Sequence, residues 1–122
     1  MEQTAFRRHD QNMICRMWKG WTTDENADRY ASYLEDELFP RLQRELHGYR
    51  GYHVLRLGQS HEVEFVTMVW FESLAAVRSF AGETYEVPVI SDKAQRLLSR
   101  YEDRCDHYEL SSFQAPWVTG EF

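Results

Sequence analysis

The sequence has few of the residues that build disulfide frameworks and metal clusters. Its two cysteines, Cys15 and Cys105, do not lie in a CxxC or comparable metal-binding spacing. We therefore expect no disulfide scaffold and no metal site, and we interpret both residues as buried free thiols. The sequence also lacks the GxGxxG, GxxxxGK[ST], HExxH and GxSxG patterns of common nucleotide-binding proteins, zinc proteases and serine hydrolases.

Long apolar runs and an excess of positive charge are absent too. No stretch approaches the ~20 apolar residues that cross a bilayer, and the first residues form no signal-peptide pattern. We therefore expect a cytoplasmic protein without membrane contact. The formal net charge is −6 at pH 7, whereas binding to nucleic acid needs a concentrated cationic surface. We expect no nucleic-acid partner.

Aromatic residues, in contrast, are abundant. Four Trp, seven Tyr and seven Phe make up 15% of the chain. Large rings bury much apolar area in a core, and they also line pockets for flat ligands. Composition favours the core interpretation and leaves the pocket open as an alternative. The length of 122 residues fits one domain.

Local patterns predict four strands. Each combines large apolar or β-branched residues and is bounded by turn or helix signals. Gly58-Gln59-Ser60-His61 is predicted to form the hairpin turn between the second and third strands. The predicted strands cover residues 13–21, 52–57, 62–71 and 104–110.

The first helix follows the first strand and is amphipathic. A capping box of Thr22 and Glu25 is predicted to begin it. Apolar residues then recur at three- and four-residue steps. Pro40 lacks a backbone N–H, so we expect this helix to kink or break near Leu38.

A second helix follows the third strand. Ser73 is predicted to cap it and Gly82 to end it, and a short helix is predicted over residues 91–100. The order is then strand, helix, strand, strand, helix, strand. Right-handed crossovers give an antiparallel sheet with the strand order 4-1-3-2, which is an α+β ferredoxin-like βαββαβ fold. We assign the domain to residues 13–111, with a flexible arm at 1–12 and a tail at 112–122.

The third strand is apolar on both of its faces. Alternate side chains of a strand point to opposite faces, and one face can pack on the domain's own helices. The other face needs a second cover, so we predict a homodimer in which two sheets stack. One face carries Val63, Phe65, Thr67, Val69 and Phe71, and the other carries Val66, Met68 and Trp70.

Four segments of the chain resemble the antibiotic-biosynthesis-monooxygenase family of the dimeric α/β-barrel group. The resemblance covers about residues 13–110, and it implies a pocket between the sheet and the helices of each subunit. Some members oxidise polycyclic phenols with O2 and use no metal or flavin, because the substrate anion itself reduces oxygen. We accordingly expect no cofactor. The segments are 13–18 (MICRMW), 64–71 (EFVTMVWF), 73–82 (SLAAVRSFAG) and 107–109 (HYE).

Haem-degrading members of that family are a poorer match. The resemblance implies, for these enzymes, an Asn on the first strand, a Trp at the end of the third strand and an axial His on the next helical segment. Trp70 matches the Trp, but the first strand has no Asn and residues 72–100 contain no His. Haem degradation is therefore disfavoured.

His53 and His107 are the candidate catalytic residues. A histidine moves protons near neutral pH and can hydrogen-bond a phenolate. The alternative for each is a structural histidine that a neighbour satisfies. In the predicted sheet the two lie on opposite edges, about 14 Å apart, so they cannot act on one atom within one subunit. Midpoint pairing of strands 1 and 4 places His107 within one or two residues of Trp18.

Four further residues are candidates for substrate binding. Trp18 and Trp70 are predicted to wall the pocket, although core packing explains Trp18 equally well and Trp70 nearly as well. Tyr85 lies in the loop after the second helix and could present a hydroxyl from a lid. Arg16, if it faces inward, needs a carboxylate such as Glu109 or a substrate anion.

The sequence thus favours a cofactor-independent, monooxygenase-like protein that acts on a small aromatic or phenolic molecule. The alternative is a dimeric module that binds a small molecule or stabilises a partner without catalysis.

Overall fold

A computed structural model describes residues 13–114 as a five-stranded antiparallel sheet with helices. The predicted arm at 1–12 and residues 115–122 of the predicted tail lie outside the described residues. The strands follow the order β2-β3-β1-β4, and β5 pairs with the same edge of β1 as a continuation of β4. The strands are β1 (Ile14–Thr23), β2 (Tyr49–Gly58), β3 (Glu62–Phe71), β4 (Leu98–Tyr101) and β5 (Asp106–Glu109).

The helices lie between β1 and β2 and between β3 and β4. With β5 in the place of the predicted fourth strand, the predicted ferredoxin-like α+β fold and its strand order are confirmed. Among residues 13–114 no helix is long and apolar enough to cross a bilayer. The helical segments are α1 (Ala27–Tyr33), a π-helical turn (Leu34–Leu38), α2 (Phe39–Glu45), α3 (Leu74–Ala81) and α4 (Asp92–Leu97).

The predicted disturbance near Leu38 takes the form of the π-helical turn. Pro40 has no N–H to give to the carbonyl four residues earlier, so the regular α-helical ladder is interrupted there. The N–H of Phe39 instead donates to the carbonyl of Leu34, five residues earlier. Pro40 then lies at the start of α2, where a missing N–H costs nothing.

Two details of the predicted helices are wrong. The Thr22–Glu25 capping box does not form, because Thr22 remains in β1, paired with Val63 and Leu98. Residues 98–100 are strand instead of helix, because the edge of β1 near Gly20 accepts β4 as a partner. In contrast, the Ser73 hydroxyl caps α3 by accepting from the N–H of Ala76 at 3.1 Å, as predicted.

The two faces of the sheet differ in burial. The inner face supplies Phe65 and Phe71 to the core under the helices, and both are fully buried. Leu55 and Leu57 point to the outer face and are 54% and 56% exposed. The alternation predicted for β3 is confirmed, with Val69 on the inner face and Val66 on the outer face.

Candidate functional site

A cavity of about 60 Å³ lies between the inner face of the sheet and the helices. Strands β1 and β3 form its floor, and the helices and the loop between α3 and α4 form its walls. This is the place that the family resemblance implies. Most of the lining is aromatic or aliphatic, and Arg16 is the cation among the lining residues. The lining also includes Trp18, Tyr30, Tyr33, Phe39, Phe80, Pro88 and Cys105.

Arg16 is a buried cation held by neutral groups. It lies on the inner face of β1, and only 5% of it is exposed. Its guanidinium donates to the carbonyl oxygens of Tyr85 at 2.5 Å and Val87 at 3.3 Å. Within residues 13–114 no carboxylate forms an ion pair with it. Burial lowers the pKa of Arg16, but a guanidinium stays protonated in proteins.

The third partner of the guanidinium is His107. Nη1 of Arg16 lies 3.0 Å from Nε2 of His107, on the neighbouring strand β5. Arginine can only donate, so Nε2 accepts and the imidazole proton resides on Nδ1. Burial lowers the pKa of His107, and the positive charge of Arg16 lowers it further. His107 is therefore a neutral acceptor at neutral pH.

Trp18 and Cys105 flank the guanidinium along the cavity. The indole N–H of Trp18 donates to the carbonyl of Glu102 at 2.6 Å, which fixes the ring. Cys105 is buried and free, as predicted for both cysteines. Burial raises the pKa of the Cys105 thiol to about 11, so it is an un-ionised, apolar part of the wall at neutral pH.

Tyr85 contributes to the site through its backbone. Its ring packs edge-on against His107, with the ring centroids 4.9 Å apart, and its carbonyl holds Arg16. The ring does not line the cavity. The loop directs its carbonyl groups at Arg16, and the expected role of the Tyr85 hydroxyl in substrate binding stays a prediction.

His53 and Trp70 belong to the opposite face of the sheet. The indole N–H of Trp70 donates to Nδ1 of His53 at 3.0 Å, and neither residue lines the cavity. The register explains this, because Trp70 pairs with Cys15 and His53 pairs with Met68, all on the outer face. Trp18 thus lines this cavity and Trp70 does not, and the expected role of both in substrate binding stays a prediction.

The structure thus divides the candidate residues into two groups. Arg16 and Trp18 line the inner cavity, and Tyr85 and His107 contact the Arg16 guanidinium from behind this lining. His53 and Trp70 pair with each other on the outer face, and the two histidines lie on opposite faces of the sheet as well as on opposite edges. Any role of these side chains in catalysis stays a prediction.

Sequence reasoning missed several lining residues. Tyr30 belongs to the apolar stripe of the first helix, and Tyr33 lies one turn further along that helix. An apolar stripe by itself indicates only a face that packs into the core. The segment Pro88–Ile90 also lines the cavity. The sequence offered a signal for this segment, because three apolar residues in a row are unusual in a loop that faces only water.

No group of three or more His, Cys, Asp or Glu side chains that could hold a metal ion occurs within residues 13–114. No protein-family model matches the sequence, and no curated protein matches it. A crystal structure of a Bacillus cereus protein, provisionally described as an antibiotic biosynthesis monooxygenase, has the same fold with a TM-score of 0.59. The two chains share 16% identity, and the likeness covers 85% of this chain and 98% of the other.

Proposed function

We propose that this chain, which has the fold of an antibiotic biosynthesis monooxygenase structure, binds a small phenolic molecule in the inner cavity and oxidises it with O2. The observation that carries the proposal is Arg16, a buried cation on the wall of an aromatic cavity that has no carboxylate partner among residues 13–114. Carbonyl and imidazole groups compensate a desolvated charge only in part. A bound phenolate would complete the compensation.

The chemistry then follows from the bound anion. Arg16 stabilises the phenolate, and the ionised ring is electron-rich enough to pass one electron to O2. The phenoxyl radical and superoxide combine into a C–O bond, and the peroxide takes up the proton that the phenol lost to solvent on ionisation. Loss of the ring C–H proton with cleavage of the O–O bond leaves a quinone and expels hydroxide, which takes up that proton to become water. The balance is phenol plus O2 to quinone plus water, and the substrate supplies all four electrons.

The roles of the other residues follow from their positions. Trp18 offers an aromatic surface beside the guanidinium, and its ring is fixed by the bond to the Glu102 carbonyl. His107 orients Arg16 by accepting its N–H. We regard His107 as a positioning residue, since its Nε2 lone pair is occupied by Arg16.

That occupied lone pair also favours the second candidate function, which is binding without turnover. A general base here must be a neutral imidazole or a carboxylate with a free lone pair. The lining formed by residues 13–114 contains neither, and the Nε2 lone pair of the neighbouring His107 is occupied by Arg16. A module that holds an aromatic anion without oxidising it needs only Arg16 and the aromatic walls.

Oxygen consumption with a panel of naphthols and dihydroxynaphthalenes separates the two functions. We expect stoichiometric O2 uptake and quinone formation in the presence of a metal chelator and without added flavin. Arg16→Met, which retains an unbranched apolar side chain and removes the charge, should lower the rate about 100-fold. Tight binding without O2 uptake would support the binding module, and neither binding nor uptake would contradict both.

We also propose that the outer face pairs two copies of the chain. It presents Leu55, Leu57, Val66, Met68 and Trp70, and the first two of these are more than half exposed. Stacking two such faces removes this apolar surface from water. A cytoplasmic location stays our expectation, since buried free thiols suit a reducing compartment.

A further inference from the structure

The loop between α3 and α4 forms an irregular wall of the cavity. It begins at Gly82, which has a φ of +88° that favours glycine, and it ends at Ser91. The Ser91 hydroxyl caps α4 and lies 2.8 Å from the hydroxyl of Tyr33. Pro88, Val89 and Ile90 line the cavity between these two fixed ends. We name residues 82–91 the cavity loop.

Arg16 holds the cavity loop in place. Its guanidinium donates to the carbonyls of Tyr85 and Val87, and a backbone bond of 2.7 Å joins Cys105 N–H to the carbonyl of Glu86. Val87 and Val89 are 57% and 55% exposed, so the loop buries little of their apolar surface. Hydrogen bonds, most of them donated by Arg16, therefore contribute much of the free energy that holds the cavity loop against the cavity.

The cavity is too small for a ring system unless part of its wall moves. About 60 Å³ holds a few water molecules, whereas pockets for drug-sized ligands measure roughly 300–1,000 Å³. The floor strands are hydrogen-bonded on both sides, and α1 and α2 pack into the main core. The cavity loop has the fewest such constraints, so it is the part of the wall that a ring system can displace most easily.

We propose that Arg16 is a specificity-determining residue, which selects an anionic aromatic ligand because the anion replaces the cavity-loop carbonyls on the guanidinium. This inference rests on the proposed function, since it uses the same cavity. The anion forms charge-assisted bonds that are stronger than those of the carbonyls. The released carbonyls of Tyr85 and Val87 must then find water, which moves the loop outward. A neutral ligand of the same shape leaves the bonds of Arg16 in place and meets a closed loop.

A matched pair of probes tests this in the full chain. We would use 2-naphthoate and its neutral isostere 2-naphthamide, follow binding by tryptophan fluorescence, and follow the loop by amide hydrogen exchange. The reporter amides are Val87, which donates to the Thr84 carbonyl at 3.0 Å, and Cys105. We expect the naphthoate to bind at least about tenfold more tightly and to speed exchange in residues 82–91 by a similar factor. The naphthamide should leave that exchange unchanged.

Arg16 variants give a test without ligand. In Arg16→Met the cavity loop should exchange about as fast as it does in the naphthoate complex, and naphthoate should have no further effect. Arg16→Lys retains the charge but lacks the forked guanidinium donors. It therefore tests the loss of the bonds to the loop carbonyls if the Met variant does not fold. Arg56→Met is the matched control, because Arg56 lies on β2 and pairs with Asp28 away from the loop.

The outcomes separate the two proposals. Naphthoate that binds while exchange in residues 82–91 is unchanged or slower overturns the loop mechanism and leaves the proposed function standing. Equal affinity for the two probes overturns the selection by charge. If neither probe binds at millimolar concentration and no phenol is oxidised, both proposals are wrong.

Discussion

Arg16 and His107 face each other on adjacent strands, and the guanidinium donates to Nε2 of the imidazole over 3.0 Å. The pair joins a permanent cation to a titratable group inside the domain. Protonation of His107 would remove the acceptor and place two positive charges in contact. The stability of the fold should therefore depend on pH through this pair.

The first prediction concerns that pH dependence. Burial and Arg16 depress the pKa of His107 below its ordinary value of 6.5, with Glu86 and Asp106 opposing in part. The unfolded chain then takes up the proton first, so the stabilising contribution is complete above about pH 6.5 and is lost as the pH falls below it. Urea unfolding of the wild type between about pH 5 and pH 8 should show this loss.

The matched variant for this test is His107→Gln. Glutamine can still accept from Arg16 through its carbonyl oxygen, but it does not titrate. The wild type should therefore lose unfolding free energy relative to the variant as the pH falls. A difference that stays constant across the range would show that His107 has the same pKa folded and unfolded.

The second prediction concerns a buried hydroxyl. The Oγ1 atom of Thr22 is buried and makes no hydrogen bond with any of residues 13–114. Thr22→Val replaces this hydroxyl by a methyl group, and it should raise the free energy of unfolding by about 1 kcal/mol. Thr67→Val is the control, because the Thr67 hydroxyl donates to the Trp18 carbonyl. A destabilised Thr22→Val protein would indicate that a buried water satisfies Oγ1.

The third prediction concerns the close approach of β2 and α3. Gly48 precedes β2, and a Cβ atom built on it would lie 2.3 Å from the Cβ of Ala76. Gly48→Ala should therefore destabilise the fold by about 1–3 kcal/mol, as overpacking does. The double variant Gly48→Ala with Ala76→Gly removes the clash, and it should recover part of the loss in thermal unfolding. Additive effects of the two substitutions would refute direct contact.

The fourth prediction concerns the outer face. Val66 points outward between Lys19 and Leu55, so Val66→Asp should convert a dimer into a folded monomer in sedimentation velocity. Ala75→Asp, on the exposed surface of α3, is the control and should leave the sedimentation coefficient unchanged. Wild-type protein that sediments as a monomer at micromolar concentration would end the stacking proposal. Circular dichroism would verify that each variant is folded.

Local patterns were sufficient for most of the fold. The span of β3 agrees with the prediction residue for residue, because alternation and turn residues are local signals. The capping box at Thr22 failed because pairing with two neighbouring strands holds that residue in β1. The strand Leu98–Tyr101 was missed for the same reason, since its partner lies far away in the sequence.

For the candidate site, the sequence by itself determined the residue types, the apolar character of both faces of β3, and the presence of Arg16 on a strand. The character of the two faces follows from the sequence alone, because alternate side chains of a strand point to opposite faces. Only the tertiary structure decided which residues meet. Register placed His107 against Arg16 and His53 beside Trp70. Alternation had already grouped Trp70 with Val66 and Met68, but only the packing of the helices decided that this group points outward, because alternation does not say which face is covered.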